Sequence, residues 1–220
     1  YSWLNSVSSG FSASNSEFST NAYLYNNLAN GTYLKDGKAG VGSWKNSSRL
    51  IGFFGRISYG YADRYNVLVS LRHEGSSKFG ADHKWGNFPG VSAGWTISNE
   101  EWMEGTRSWL DNLKLRASFG ITGVIPGSSY MSLLRYDYDT SYGNFVDASG
   151  KWSPSLTPIS NANPDLRWEK STEYNIGLDM GFFGNRLYAN IDLYNKVTSD
   201  MLWEYSVPVP PNLYGYTTAN

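Results

Sequence analysis

Residues 50–74, LIGFFGRISYGYADRYNVLVSLRHE, alternate side-chain character with a period of two, and this constrains the chain more than any other feature. From Ile51 the odd positions read Ile51, Phe53, Gly55, Ile57, Tyr59, Tyr61, and the even ones Gly52, Phe54, Arg56, Ser58, Gly60, Ala62. Beyond Asp63-Arg64 the odd set resumes as Tyr65, Val67, Val69, Leu71, His73 against Asn66, Leu68, Ser70, Arg72, Glu74. Successive side chains of a strand point to opposite faces, so this pattern predicts two strands, each with one apolar and one polar face. The very short connection between them predicts an antiparallel hairpin. Phe54 and Leu68 break the rule on the polar face.

The same pattern recurs downstream. Residues 88–98 set Val91, Ala93, Trp95 and Ile97 against Gly90, Ser92, Gly94 and Thr96, and residues 113–122 set Leu113, Leu115, Ala117, Phe119 and Ile121 against Lys114, Arg116, Ser118, Gly120 and Thr122. In 166–182 the even face is apolar from Leu166 and Trp168 through Tyr174, Ile176 and Leu178 to Phe182, opposite Glu173, Asn175 and Asp179. In 187–202 Leu187, Ala189, Ile191, Leu193 and Val197 oppose Tyr188, Asn190, Asp192, Tyr194 and Lys196. The predicted strands are therefore about 50–62, 65–74, 88–98, 113–122, 166–182 and 187–202. Residues 1–49 and 123–165 show no sustained period and are read as long loops, as is the Pro-rich start of a further loop at 204–220. Ser98 followed by Glu101 has the spacing of a capping box, which predicts a short helical turn over 100–103.

These strands are longer than the ~5–6 residues usual in globular sheets and long enough to cross a bilayer at a tilt. Tight turns alternate with long loops, and Tyr59, Tyr61, Tyr65, Trp95, Trp168 and Phe182 lie near strand ends. Short turns on one side, long loops on the other and interfacial aromatics describe a membrane β-barrel. Composition agrees: mean hydropathy is −0.43, 16% of residues are aromatic, and no apolar run approaches the ~20 residues of a membrane helix. Barrel strands spend only alternate residues on lipid, so low mean hydropathy is expected of them. A soluble β-sandwich, with the apolar face as its core, is the alternative. Arg56, Arg72, Lys114, Arg116, Glu173, Asp179 and Asp192 put both signs of charge on the polar faces, which suits a hydrated lumen.

Little else in the chain carries chemistry. A net charge of −1 leaves no basic footprint for nucleic acid, and the absence of Cys excludes thiol metal sites. His73 and His83 lack metal-ligand spacing, and no serine sits in a nucleophile elbow, so no catalytic residue, metal or cofactor is expected. Asp137-Tyr138-Asp139 opens like a calcium loop, but Tyr142 and Ala148 stand where such a loop needs Gly and Glu, so a solvated loop is expected. Tyr130, Tyr136, Tyr138, Tyr142 and Trp152 are the candidate contact residues, because aromatic faces beside Asp and Asn can stack on and bond a ligand, or else pack against a partner. Trp85, Tyr23, Tyr25 and Tyr33 are weaker candidates. Tyr1-Ser2-Trp3 has neither region of a secretion signal, so the leader of an exported protein is expected outside this stretch.

The segments GRISYGYADRYNVLVSLRHEGSSKFG, KWGNFPGVSAGWTIS, WLDNLKLRASFGITG, NPDLRWEKSTEYNIGLDMGFF and NRLYANIDLYNKVTSDML, in this order, resemble the barrel of SusC-like TonB-dependent transporters over nearly all of 50–203. The resemblance implies an all-β, antiparallel transmembrane barrel of about 22 strands, with this chain as one internal segment. It implies a multi-pass protein of the outer membrane of a Gram-negative bacterium, surrounded by lipid. It further implies import of a nutrient, an oligosaccharide in preference to a peptide, under a SusD-like lipoprotein lid. Energy would come from TonB through a part of the protein outside these residues. A passive porin-type barrel is the remaining alternative. If the face assignment holds, Val69→Arg should impair membrane assembly, at a cost of up to ~2–4 kcal/mol, while Arg72→Ala leaves it intact. The heat-modifiable band in outer-membrane fractions measures both, and equal tolerance would overturn the assignment.

Overall fold

The computed structural model describes residues 1–220 apart from 21, 23, 36, 37, 140–144 and 154. The strands are β1 (Ser2–Ser14), β2 (Gly40–Tyr61), β3 (Tyr65–Ser76), β4 (Trp85–Thr96), β5 (Leu110–Val124), β6 (Arg135–Asp139), β7 (Phe145–Val146), β8 (Trp152–Ser153), β9 (Ser155–Ser160), β10 (Glu169–Phe182), β11 (Leu187–Ser199), β12 (Trp203–Ser206) and β13 (Tyr216–Ala219). Seven form one sheet in the order β1-β2-β3-β4-β5-β10-β11, and β6–β9, β7–β8 and β12–β13 are separate two-stranded ribbons. By contacts the chain divides into one unit of Tyr1–Leu4 with Arg49–Asn220 and a second of Asn5–Ser48.

In the first unit the pairs from β2 to β11 are all antiparallel. Their registers carry the period-two pattern across the sheet as rows. One row is Ile57, Val69, Val91, Phe119 and Tyr174. The row beside it, on the opposite face, is Arg56, Ser70, Gly90, Gly120, Glu173 and Lys196. A one-residue slip would move an apolar side chain into every polar row, so the faces themselves specify the register. The apolar face stays open: Ile57 is 73% and Leu193 71% exposed, and Val69, Leu71, Ile176 and Val197 are exposed with them. A sandwich core would bury these side chains beneath a second sheet, so the sandwich alternative fails. Among the described residues no helix is long and apolar enough to cross a membrane.

The connections at one end of the sheet are short. Ala62 and Asp63 both have positive φ (53° and 52°) between Tyr61 and Arg64, the left-handed pair that matches hairpin twist. Phe183, Gly184 and Asn185 make the equivalent turn between β10 and β11. The β4–β5 connection is two 3₁₀ turns, Ile97–Asn99 and Glu101–Thr106. The expected capping box does not form: Glu100 is the N-cap and makes no side-chain cap bond, because its carboxylate is engaged elsewhere.

At the other end, the loops enclose the buried core of this unit. Phe79, Phe88, Leu166 and Trp168 pack together, with Leu50, Ile121, Met131 and Leu202 against them. Trp168 is 3% exposed and donates from Nε1 to Lys84 O at 3.0 Å. Leu166 and Trp168 therefore leave the apolar strand face on which alternation places them. β10 begins only at Glu169, and the two side chains turn into the loop core. Gly80 is required there, since a Cβ would lie 1.6 Å from Pro164 O.

The second unit corrects the reading of 1–49 as loop. It contains most of β1 and the first part of β2, which pair so closely that a Cβ on Gly10 would meet the Trp44 indole at 2.9 Å. These strands are rich in Ser, Asn and Gly, and although Trp3, Val7, Phe11 and Ala13 of β1 fall on one face, Leu4 and Asn5 interrupt the alternation, so patterning marks them only weakly. Two 3₁₀ segments, Leu24–Asn30 and Thr32–Leu34, follow β1, and Asn15 Nδ2 donates to Leu28 O in the first at 2.8 Å and to Gly31 O, the N-cap of the second, at 2.9 Å.

Leu166→Ala should cost roughly 2–5 kcal/mol through the cavity it leaves, and Gly80→Ala should loosen the same loop by collision with Pro164. Both effects are expected as a lowered melting temperature of the unboiled barrel band. An unchanged midpoint for both would show that the loop core does not support the strands.

Candidate functional site: the polar face and the loop end

The sequence-predicted polar-face residues lie on one side of the sheet but interact unequally. Arg116 on β5 is their centre. Its Nε donates to Asp179 Oδ2 and its Nη2 to Asp179 Oδ1, both at 2.8 Å, in the bidentate fork that suits a guanidinium and a carboxylate. The same Nη2 lies 3.2 Å from Asp192 Oδ1 on β11, one strand further on. Gly177 makes that reach possible, for it is the register partner of both Arg116 and Asp192. A Cβ there would meet Asp192 Oδ1 at 2.6 Å and Arg116 Cζ at 2.7 Å.

The other predicted members stand apart. Arg72 bonds Glu74 on its own strand, Lys114 lies opposite Asp179 in register, and Glu173 faces Lys196 with no ion pair formed between them. Arg56 is exposed opposite Ser70. Between these charges, small residues such as Ser58, Ser92, Gly94 and Ser118 leave a recess of about 260 Å³. The face therefore offers hydroxyls, amides and alternating charges over a shallow surface. Among the described residues no group of His, Asp and Glu could hold a metal ion.

At the loop end, Tyr136 and Tyr138 share one face of the β6–β9 ribbon, opposite Pro158 and Leu156, and both are exposed. Trp152 is exposed on β8, paired with Val146. Tyr130 occupies a turn with φ 66° and is half-buried. Tyr142 and Tyr23 lie outside the described residues, and the 137–148 stretch read as a solvated loop is described only in part. Its Asp147 carboxylate is held below its ordinary value by Ser149 and by main-chain bonds from Lys151 and Ser149, a local turn that engages its own acceptor. Trp85 stacks on His73 at 4.7 Å between centroids, Tyr25 is exposed, and Tyr33 has the Lys38 ammonium 5.2 Å from its ring centroid.

One cluster escaped the sequence reading. The Glu100 carboxylate accepts from Tyr65 Oη at 2.7 Å, Trp95 Nε1 at 2.8 Å and Arg64 Nη1 at 3.2 Å, while Arg64 Nη2 reaches Glu101 at 3.3 Å. Two connections and two strand ends thereby close on one buried carboxylate. Tyr65 and Trp95 read as apolar girdle residues, and alternation contains no signal that their polar tips converge. The hydrogen bonds from Tyr65 and Trp95, with Arg64 beside them, hold Glu100 below its ordinary value.

These features coincide with known proteins. A family model described as TonB dependent receptor-like, beta-barrel matches residues 2–220. The TonB-dependent receptor SusC of Bacteroides thetaiotaomicron is 36% identical over 172 residues, 78% of this chain and 17% of SusC. TonB-dependent receptor P39 of Formosa agariphila is 37% identical over 161 residues, 73% of this chain and 14% of P39. The RagAB peptide importer in its "closed-closed" state superposes with a TM-score of 0.81 and 26% identity, over 99% of this chain and 23% of that one. The chain belongs to the TonB-dependent receptor-like β-barrel family, as an antiparallel segment of an outer-membrane barrel. It spans less than a fifth of the length of SusC or P39.

Because folding depresses the Glu100 value, the turn clamp is at full strength above the ordinary glutamate value of 4.5 and weakens as pH falls through the lower folded value. The melting temperature of the intact barrel should drop on acidification below that value, and Glu100→Gln should remove part of the drop. A wild-type profile superimposable on that of the variant would overturn this role.

Proposed function

We propose that this chain is wall and loops of an energised outer-membrane importer of the SusC-like kind. The row containing Ile57, Val69, Val91, Phe119 and Tyr174 meets lipid. Arg56, Arg72, Lys114, Arg116, Glu173, Asp179 and Asp192 line a hydrated lumen. The observation that carries the reading is the wide, open apolar face backed by a face of mixed charge. Backbone groups in lipid need internal partners, and a continuous antiparallel ladder supplies them once the barrel closes. Family membership favours energised import over a passive pore.

In this reading Tyr130, Tyr136, Tyr138, Tyr142 and Trp152 contact the cargo or a SusD-like lipoprotein lid from the outer side. TonB acts through a part of the protein outside these 220 residues. The chain performs no bond chemistry: cargo is captured under the lid and released inward with energy supplied through TonB. Oligosaccharide is the preferred cargo, since flat aromatic faces beside Asp and Asn suit sugar rings. Peptide cargo is the second reading, favoured by the structural likeness to a peptide importer.

The test is growth of a strain lacking the intact protein on oligosaccharide mixtures or peptide mixtures as sole nutrient. Loss of growth on one class, restored by wild type and weakened by Tyr136→Ala with Tyr138→Ala, is expected. Undiminished growth on both classes would overturn import of either cargo. Full restoration by the double variant would remove the two tyrosines from the contact surface.

A further inference from the structure

Three asparagine side chains at the loop end make an arrangement that neither the strand pattern nor the importer reading requires. Asn161, directly after β9, uses its whole amide. Nδ2 donates to Tyr214 O at 2.6 Å and Tyr216 O at 2.9 Å, while Oδ1 accepts from the main-chain N–H groups of Leu213 and Tyr214, both at 3.1 Å. Two residues on, Asn163 Nδ2 donates to Thr218 O at 2.8 Å. From the opposite segment, Asn220 Nδ2 donates to Arg167 O at 2.9 Å and Asp200 O at 2.7 Å, and its Oδ1 accepts from Arg167 N at 2.8 Å.

Residues 161–167 thus run alongside 213–220 in the same direction, and side-chain amides take the place of backbone pairing. Tyr216 O and Thr218 O belong to β13, the strand paired with β12. Their occupation closes an edge that would otherwise offer free acceptors to another chain. The base of the β6–β9 ribbon is tied into the same segment, because Ser160 Oγ donates to Leu133 O at 2.9 Å and accepts from Arg135 N at 3.1 Å. Asn163 N, in turn, donates to Ser132 O at 3.1 Å.

The two ribbons joined in this way both carry exposed aromatics. Tyr136 and Tyr138 lie on one face of β6–β9. Trp203 and Tyr205 lie on one face of β12–β13, opposite the small residues Ala219 and Thr217. We infer that Asn161, Asn163 and Asn220 form a clasp that holds the β6–β9 and β12–β13 ribbons as one preorganised body. The three asparagines are positioning residues. Fixing two loops in advance removes the ordering cost that each would otherwise impose on binding. A benefit to binding rests on the importer reading above, whereas the clasp itself does not.

The experiment uses the full-length protein, purified in detergent and otherwise free of cysteine, with spin labels at Thr157→Cys and Glu204→Cys. Both positions lie on the ribbon faces away from the aromatics. A single narrow distance distribution is expected, broadened by Asn161→Ala, with severalfold faster hydrogen exchange at the Leu213 and Tyr214 amides and unchanged exchange in β5 and β10. A broad distribution with the clasp intact would overturn the inference. So would a distribution and exchange that remain unchanged in Asn161→Ala and in Asn163→Ala with Asn220→Ala. Loss of barrel assembly in every clasp variant would also overturn it, because the asparagines would then support the wall rather than the loops. None of these outcomes depends on cargo, so failure of the clasp is distinguishable from failure of the growth test.

Discussion

The interaction on which the rest of this structure depends is the continuous antiparallel backbone ladder from β2 to β11. In a bilayer an N–H or C=O without a partner costs several kcal/mol, so a wall strand must find all of its bonds in its neighbours. The ladder imposes the period of two, and that period separates apolar from polar residues without any core beneath the sheet. Exposure that would be a defect in a soluble sheet is here a consequence of the architecture. Ile57, Val69, Tyr174 and Leu193 remain exposed, as the apolar face of an outer-membrane barrel segment is expected to be.

With the faces assigned by the ladder, the remaining side-chain energy is concentrated at the two ends of the strands. At the short-turn end, Glu100 collects Tyr65, Trp95 and Arg64, so that the β2–β3 and β4–β5 connections close on one carboxylate. At the loop end, Phe79, Phe88, Leu166 and Trp168 form the buried apolar cluster, and three asparagines fasten the ribbons beyond it. The middle of the wall has a different character. Small Ser and Gly side chains leave relief on the polar face, and Arg116 bridges two strands by passing over Gly177. A wall of this kind has bonded clusters at its ends and a shallow polar surface between them.

Much of this was legible in the residues. Strict alternation located β3, β4, β5, β10 and β11 to within a few residues, and the second half of β2, because apolar and polar side chains there fall on opposite faces. The exceptions have physical causes. β1 went unread although Trp3, Val7, Phe11 and Ala13 share a face opposite Ser and Gly, because Leu4 and Asn5 interrupt the alternation, and the start of β2 carries only the apolar Val41 and Trp44, on opposite faces. Leu166 and Trp168 fit the alternation but belong to the loop core, since periodicity does not tell lipid from a local cluster as the destination of an apolar side chain. Ser98 and Glu101 have capping-box spacing, yet Glu100 takes the N-cap position while its carboxylate serves Tyr65, Trp95 and Arg64.

The sequence by itself determined the strand class, the two faces, the family and the identity of the charged rows, because each depends on local order along the chain and on the two-residue repeat. Tertiary structure alone decided which charges meet. Arg116 pairs with Asp179 and Asp192, while Glu173 and Lys196 stand opposite one another without joining. It also decided that Asn161, Asn163 and Asn220 find main-chain partners more than fifty residues away in the sequence. Those contacts depend on register and on loop paths, and no periodicity along a single chain encodes the distance between two segments that fold back on one another.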